Sequence, residues 1–137
     1  MKNKIKNKKG FTLIELIVSV TIIAVLTVVG VVSYTGTSKK ARDGRRVADL
    51  EKVRIALELY RQDLGSTYPA DGTLTTKLAP KYIQAIPTDP KSGTYTYDQT
   101  GTGYTYELGA KMEDLGSTNV AAYSGCGGTC NYKVVSP

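Results

Sequence analysis

From Leu16 to Ser38 the chain runs for 23 residues without a charged side chain, rich in Val, Ile and Leu. At about 1.5 Å per residue, a helix of that length crosses a hydrocarbon layer roughly 30 Å thick. A buried strand is far shorter, and a soluble helix this long carries a polar face. Here the main polar interruptions are Ser and Thr, whose hydroxyls can bond back to their own helix carbonyls. The stretch therefore predicts a membrane-inserted helix. Beyond it the pattern changes. Val47, Leu50, Val53, Leu57, Tyr60 and Leu64 recur at spacings of three and four, with Glu51, Lys52, Arg54, Glu58, Arg61 and Gln62 covering the other face. That is an amphipathic helix. Gly65 is placed to cap it, and Pro69 prevents a restart. No proline interrupts residues 11–64, so the simplest reading is one helix of 54 residues, about 80 Å long.

After the helix the chain is punctuated. Residues 66–93 hold four prolines and two glycines, with room for a short helix from Leu74 to Leu78 and an irregular connection through Ile83 and Ile86. TYTYD (Thr94 to Asp98) and YTYEL (Tyr104 to Leu108) then alternate at period two across QTGTG, which predicts an antiparallel hairpin. Tyr95 and Tyr97 fall on one face of its first strand, and Tyr104, Tyr106 and Leu108 on one face of its second. YKVVS near the end can supply a third strand. The fold class is α+β: one long N-terminal helix, its first half transmembrane, packed through its second half on a small antiparallel sheet.

Composition narrows the chemistry. The 137 residues contain no His, no Trp and two Cys. Triads and dyads that need histidine are excluded, with His-based zinc and iron sites and four-cysteine metal sites. No carboxylate pair, nucleophile–base set or phosphate-binding glycine loop stands out in residues 65–137, so no enzyme is expected. The net charge of +6 is unevenly placed, since residues 1–10 hold Lys2, Lys4, Lys6, Lys8 and Lys9 and no acid, leaving +1 for the remainder. KKARDGRR, just past the apolar run, brings five more basic residues and Asp43, so loop charge leaves orientation nearly tied. These cations face lipid headgroups or neighbouring subunits, and nucleic acid is not expected as a partner. The ten tyrosines sit among Thr and Asp rather than Lys and Arg, which favours cross-strand packing over base stacking.

A lysine-rich segment before an apolar run is also the plan of a secretory signal peptide. Three features oppose that reading. The run is too long for a signal core, no small-x-small cleavage site follows it, and Glu15 stands inside its start, where an unpaired carboxylate is costly. KKGFTLIELIVSVTIIAVL instead resembles the N-terminus of type IV prepilins and type II secretion pseudopilins. A lysine-rich leader ends in Gly10, Phe11 follows, and Glu15 is the fifth residue after the junction. The resemblance implies cleavage between Gly10 and Phe11 by a membrane prepilin peptidase that also N-methylates Phe11. It divides the chain into a leader (1–10), a transmembrane and polymerisation helix (11–38), its amphipathic continuation (39–65) and a β-sheet head (66–137). Glu15 is then expected to pair with the Phe11 amine of a neighbouring copy during assembly, the alternative being that it snorkels to the interface. Gly30 and the stretch 33–36 are places to bend or melt in a filament, or places of close helix packing.

The run YIQAIPTDPKSGTYTYDQTGTGYTYELGAK resembles the major pseudopilin, with its Pro-x-Asp-Pro turn and Tyr-rich hairpin, whereas AAYSGCGGTCNYKVVSP departs from it. In that family a loop between the last strands binds calcium. Glu113 and Asp114, with Ser117 and Asn119, offer oxygens here without EF-hand spacing, so a solvated turn is the plainer alternative. Cys126 and Cys130 enclose CGGTC. In an oxidising compartment they are expected to form a disulfide, with free thiols as the alternative, and type IV pilins often close a C-terminal loop this way. The reading is a structural subunit of a type IV pilus-like filament, with a major pseudopilin of a secretion system as the alternative and a membrane-anchored binding module behind both. The implied partners are further copies of itself, the peptidase and N-methyltransferase, an inner-membrane assembly platform with its ATPase, and membrane lipid before assembly. The implied location is the bacterial cytoplasmic membrane with the head outside the cytoplasm, and then an extracytoplasmic filament.

Overall fold

A computed structural model describes residues 10–65 and 67–137, without the side chains of 32 and 33. The leader lysines Lys2, Lys4, Lys6, Lys8 and Lys9 lie outside the described residues. One helix, α1, runs from Leu13 to Leu64 over 52 residues, two residues shorter at its start than the sequence suggests. The chain divides after Gly36 into two compact units.

In the first unit every large apolar side chain from Phe11 to Val31 is exposed, from 50% at Val18 to 87% at Phe11. The hydroxyls among them are satisfied locally. Ser19 donates to the Glu15 carbonyl at 2.7 Å, Thr21 to Val18 at 2.8 Å and Thr27 to Ile23 at 2.7 Å. The helix thus offers lipid an apolar surface with no unpaired hydroxyl at these positions.

The second unit begins at Thr37. Leu50, Val53, Ala56 and Leu57 of α1 are buried against Tyr68, Leu78, Tyr106, Leu108, Ala110 and Met112. The ends of the sequence stripe fall outside this core, for Val47 is 37% and Leu64 53% exposed. The apolar core is confined to the middle turns of the amphipathic stretch. Gly65 caps α1 as expected, at φ +60° with its N–H on the Arg61 carbonyl at 2.9 Å; a residue with a Cβ is strained there.

After α2 (Leu74–Leu78) come β1 (Thr96–Thr100) and β2 (Thr105–Ala110), then β3 (Tyr123–Gly125), β4 (Gly128–Cys130) and β5 (Tyr132–Val135). β1, β2 and β5 form an antiparallel sheet in the order β1-β2-β5, so YKVVS does supply the third strand. The hairpin sits two residues later at its first strand than alternation suggests. The turn is drawn in at Gly101–Gly103, with Gly101, Thr102 and Gly103 all at positive φ, and Tyr104 takes a helical conformation after it. Tyr104 is therefore outside β2 and 61% exposed, while Tyr106 and Leu108 point into the core.

The tyrosines pack between sheet and helix as much as across strands. Tyr68 meets Tyr106 edge to face at 4.6 Å between centroids, and both donate to Glu58 Oε1 of α1, at 2.8 and 3.2 Å. Side chains also occupy both edges of the sheet. At β1 the Asp71 carboxylate accepts the Gln99 N–H and the Gln99 side-chain amide donates to the Tyr68 carbonyl. At β5 the Asn119 amide donates to the Lys133 carbonyl at 2.7 Å and accepts its N–H at 2.8 Å, as a paired strand residue does.

The two-stranded sheet β3–β4 was not expected. A disulfide between Cys126 and Cys130 closes it, and both cysteines are buried. The staple lies over Gly109, where a Cβ would collide with the Tyr123 hydroxyl and Thr96 Oγ1. Replacing both cysteines by serine removes a closed loop of five residues and is expected to cost about 2 kcal/mol in the chain-entropy treatment. Urea unfolding of the two chains measures it, and an unchanged midpoint would contradict a stabilising staple.

Candidate functional site

Two places combine charge with unusual surroundings. The first is the start of α1. Thr12 precedes the first helical residue and Glu15 stands three positions on, the Thr-x-x-Glu spacing of a capping box. The box is formed: Thr12 N–H and Oγ1 each donate to Glu15 Oε2 at 2.8 Å, and the Glu15 N–H points back to Thr12 Oγ1 at 3.3 Å. Within one chain Glu15 thus satisfies donors of its own helix end. Gly10 and Phe11 lie just outside the helix in non-helical backbone, and no Cβ at Gly10 would meet another atom within 4 Å.

The second place is inside the head unit. Asp43 and Arg46 are one turn apart on α1 and both are buried, at 1% and 2% exposure. The Arg46 guanidinium is held by three carboxylates from three parts of the chain. Asp43 accepts at 2.7 Å, Asp89 at 2.6 and 3.1 Å through both oxygens, and Glu113 at 3.0 Å. Arg42 clasps Glu113 in a fork, at 2.7 and 2.8 Å, and Lys91 adds a contact at 3.3 Å. Two of the acids also organise backbone. Asp43 accepts the N–H groups of Glu113 and Asp114, and Asp89 accepts those of Lys91 and Gly93.

The electrostatics follow from these contacts. The Arg46 hydrogen bonds hold the Asp89 carboxyl down at about 2. The Arg42 guanidinium first, then Arg46 and Lys91, holds Glu113 far below the usual carboxylate range. Arg46 is pushed up in turn, chiefly by Asp89. Among the described residues no buried side-chain nitrogen or oxygen lacks a partner. The cluster is a structural lock, and it contains no group free to act on a substrate.

Residues 5–31 match the family described as the prokaryotic N-terminal methylation motif. The chain is 30% identical over 129 residues to the type II secretion system core protein G of Vibrio cholerae, covering 82% of this chain and 88% of that protein. The namesake from Pseudomonas aeruginosa is 28% identical over 133 residues, 85% of this chain and 93% of the other. A fimbrial protein of Dichelobacter nodosus is 35% identical over 100 residues, 70% of this chain and 60% of that one. The chain belongs to the pilin and pseudopilin family. No solved structure is similar enough to count as a match. Pilin-like architecture accounts for the long helix with an exposed apolar half and for the small sheet beside its other half.

For a pilin-like subunit the sequence reading placed the N-terminal site residues on Gly10, Phe11 and Glu15, and they stand together at the start of α1. Cys126 and Cys130 form the staple on the head. Of Glu113 and Asp114, weighed as calcium ligands, Glu113 is engaged elsewhere. Both Glu113 oxygens are taken by Arg42, Arg46 and Lys91, and a cation added beside two guanidinium groups meets repulsion. Arg46 itself was missed. Its signals were the Asp-x-x-Arg step on one helix face and the Asp of the Pro-x-Asp-Pro turn.

Arg46→Met leaves three carboxylates facing one another without their central cation. It is expected to destabilise the head by about 3–5 kcal/mol, the scale for breaking a buried pair, read by thermal or urea unfolding. Acid acts on the same cluster. A carboxyl whose folded value is depressed stabilises at pH above its unfolded value near 4 and loses that contribution as pH falls through the folded value. With Asp89 at about 2, the wild-type midpoint should fall steeply between about pH 4 and 2. The Arg46→Met chain should show a shallower fall, and parallel slopes would contradict the assignment.

Proposed function

We propose that this chain is the structural subunit of a type IV pilus-like filament, made as a precursor, cleaved after Gly10, N-methylated at Phe11 and polymerised through α1. The carrying observation is the exposed apolar half of α1 with a single carboxylate, Glu15, at its start. Lipid suits that surface in the stored subunit, and only other copies of the same helix suit it once it leaves lipid. Cleavage creates an amine on Phe11. Glu15, now engaged with Thr12 of its own chain, would exchange these contacts for the amine of a neighbouring copy. The exchange keeps both charges partnered in an apolar interior. The head then has no chemical task, and the subunit acts as a building block rather than an enzyme.

Within this reading the secretion pseudopilus is favoured by near-full-length similarity to core protein G of two secretion systems. A surface pilus is favoured by the fimbrial relative and by the C-terminal staple. Both Glu113 oxygens are engaged by Arg42, Arg46 and Lys91, which argues against calcium in either version, and a chelator should leave the unfolding midpoint unchanged.

The test has two parts. Intact mass of membrane-extracted protein should correspond to a chain beginning at Phe11 plus one methyl group, and a chain beginning at Met1 would sink the proposal. Glu15→Ala should insert and be cleaved, yet yield few or no filaments by electron microscopy. Losing one member of a buried charge pair costs about 3–5 kcal/mol, repeated at every subunit. Filament numbers equal to wild type would remove Glu15 from assembly.

A further inference from the structure

The head unit carries its surplus charge at one end. Of the five basic residues in KKARDGRR, Arg42 and Arg46 turn inward to the carboxylates. Lys39, Lys40 and Arg45 remain exposed. Lys111 is exposed as well, and with Lys91 and Glu113 it lines a cavity of about 180 Å³ beside Arg46. The buried cluster is itself neutral, because Asp43, Asp89 and Glu113 balance Arg42, Arg46 and Lys91. What remains there is Lys39, Lys40, Arg45 and Lys111 against Asp114, a surplus of three. All other charged side chains from residue 37 onward are six basic and seven acidic, a sum of −1. The unit is strongly polarised.

An apolar side chain stands at the same end. Leu115 is 84% exposed, on a short 3₁₀ turn from Leu115 to Ser117. The two residues before it, Glu113 and Asp114, donate their N–H groups to Asp43 at 2.8–3.1 Å. The turn is thereby tied at the level of Asp43 on α1. Ser38 ends the apolar stretch five residues earlier, so the axial rise is about 7 Å to Asp43 and about 10 Å to Arg45. A headgroup layer adds roughly 5–7 Å to each side of the hydrocarbon. By helix rise alone, Lys39, Lys40 and Arg45 follow the apolar stretch within the depth of a headgroup layer and the water just above it.

We propose that, while the subunit is stored in the membrane, this end of the head docks on anionic phospholipid. Lys39, Lys40, Arg45 and Lys111 meet headgroup phosphates, and Leu115 enters the interface between them. The inference rests on residues 11–38 being membrane-inserted. It goes beyond that reading by giving the head a lipid-binding face. Charge complementarity commits the partner, because neutral lipid offers no reason to gather a surplus of three cations here. Docked in this way, the head is oriented before assembly, and leaving the membrane requires it to give up these contacts.

The chain has no Trp, so Leu115→Trp supplies a single fluorophore at an exposed position. The full chain is reconstituted in vesicles of phosphatidylcholine alone or with about one-third phosphatidylglycerol, an anionic surface of the kind that attracts polybasic segments. Flotation of the vesicles checks insertion. With anionic lipid the emission should shift to shorter wavelength and be quenched by brominated acyl chains, and high salt should reverse both effects. Replacing Lys39, Lys40 and Arg45 by Gln should abolish the response, since each cation contributes about five-fold and three together on the order of 100-fold. Water-like emission from a chain that floats with anionic vesicles overturns the proposal and leaves membrane insertion standing. Equal quenching in neutral vesicles, or quenching untouched by the three Gln substitutions, also overturns it. A chain that does not float overturns the proposal and the membrane reading together.

Discussion

The geometry of the head depends on one buried guanidinium. Arg46 reaches three carboxylates that are 3, 43 and 67 positions away in sequence. Taking four charges out of water is costly, and an apolar core of equal volume could be as stable. What the cluster supplies is position. Asp89 carries the Pro-x-Asp-Pro turn with it, and Glu113 carries the chain leaving β2. A slip of either segment would leave a charge unpaired, so the loops have one setting on α1. The apolar core of Leu50, Val53, Leu57, Tyr106 and Leu108 lies next along the helix from this lock.

The two units of the chain solve different problems with the same helix. Up to Gly36 the side chains make few demands on the protein itself, because hydroxyls bond back to their own helix and Glu15 caps the end it stands on. From Thr37 onward one face of the helix, with Asp43, Arg46, Leu50, Val53 and Leu57, is buried by the head, and its buried polar groups find protein partners. On the proposed reading, assembly chemistry and fold stability are then assigned to different stretches of a single element, and changes in the apolar half would alter association without unfolding the head.

Much of this was legible in the sequence because it is periodic or local. The apolar run, the stripe from Leu50 to Tyr60, the cap at Gly65, the five-residue helix and the Tyr-rich hairpin all declare themselves within a few turns or a few strand residues. The misses have physical causes. Alternation alone could not show that Gly101, Thr102 and Gly103 would turn left-handed and push Tyr104 out of its strand. Val47 fits the stripe but faces away from the head, although Arg46 and Asp49 beside it are buried, and Leu64 stands in the last turn, past the residues that the core covers. β3 and β4 have three residues each and three glycines between them or in them, too little for any pattern. The Arg46 lock joins residues up to 67 positions apart, and no local rule reports such a meeting. The Thr12–Glu15 capping box was visible in principle, but the family likeness drew attention to a different role for Glu15.

The caps at Gln99 and Lys133 on the sheet edges have a consequence for how such subunits can be kept. An edge strand with bare N–H and C=O groups is a template for any other strand that comes close. In this head the Asp71 carboxylate and the Gln99 amide occupy one margin, and the Asn119 amide occupies the other by imitating a paired residue. On the proposed reading, copies held side by side in a membrane are far more crowded than copies in solution, and each capped position is one fewer at which they could trade strands.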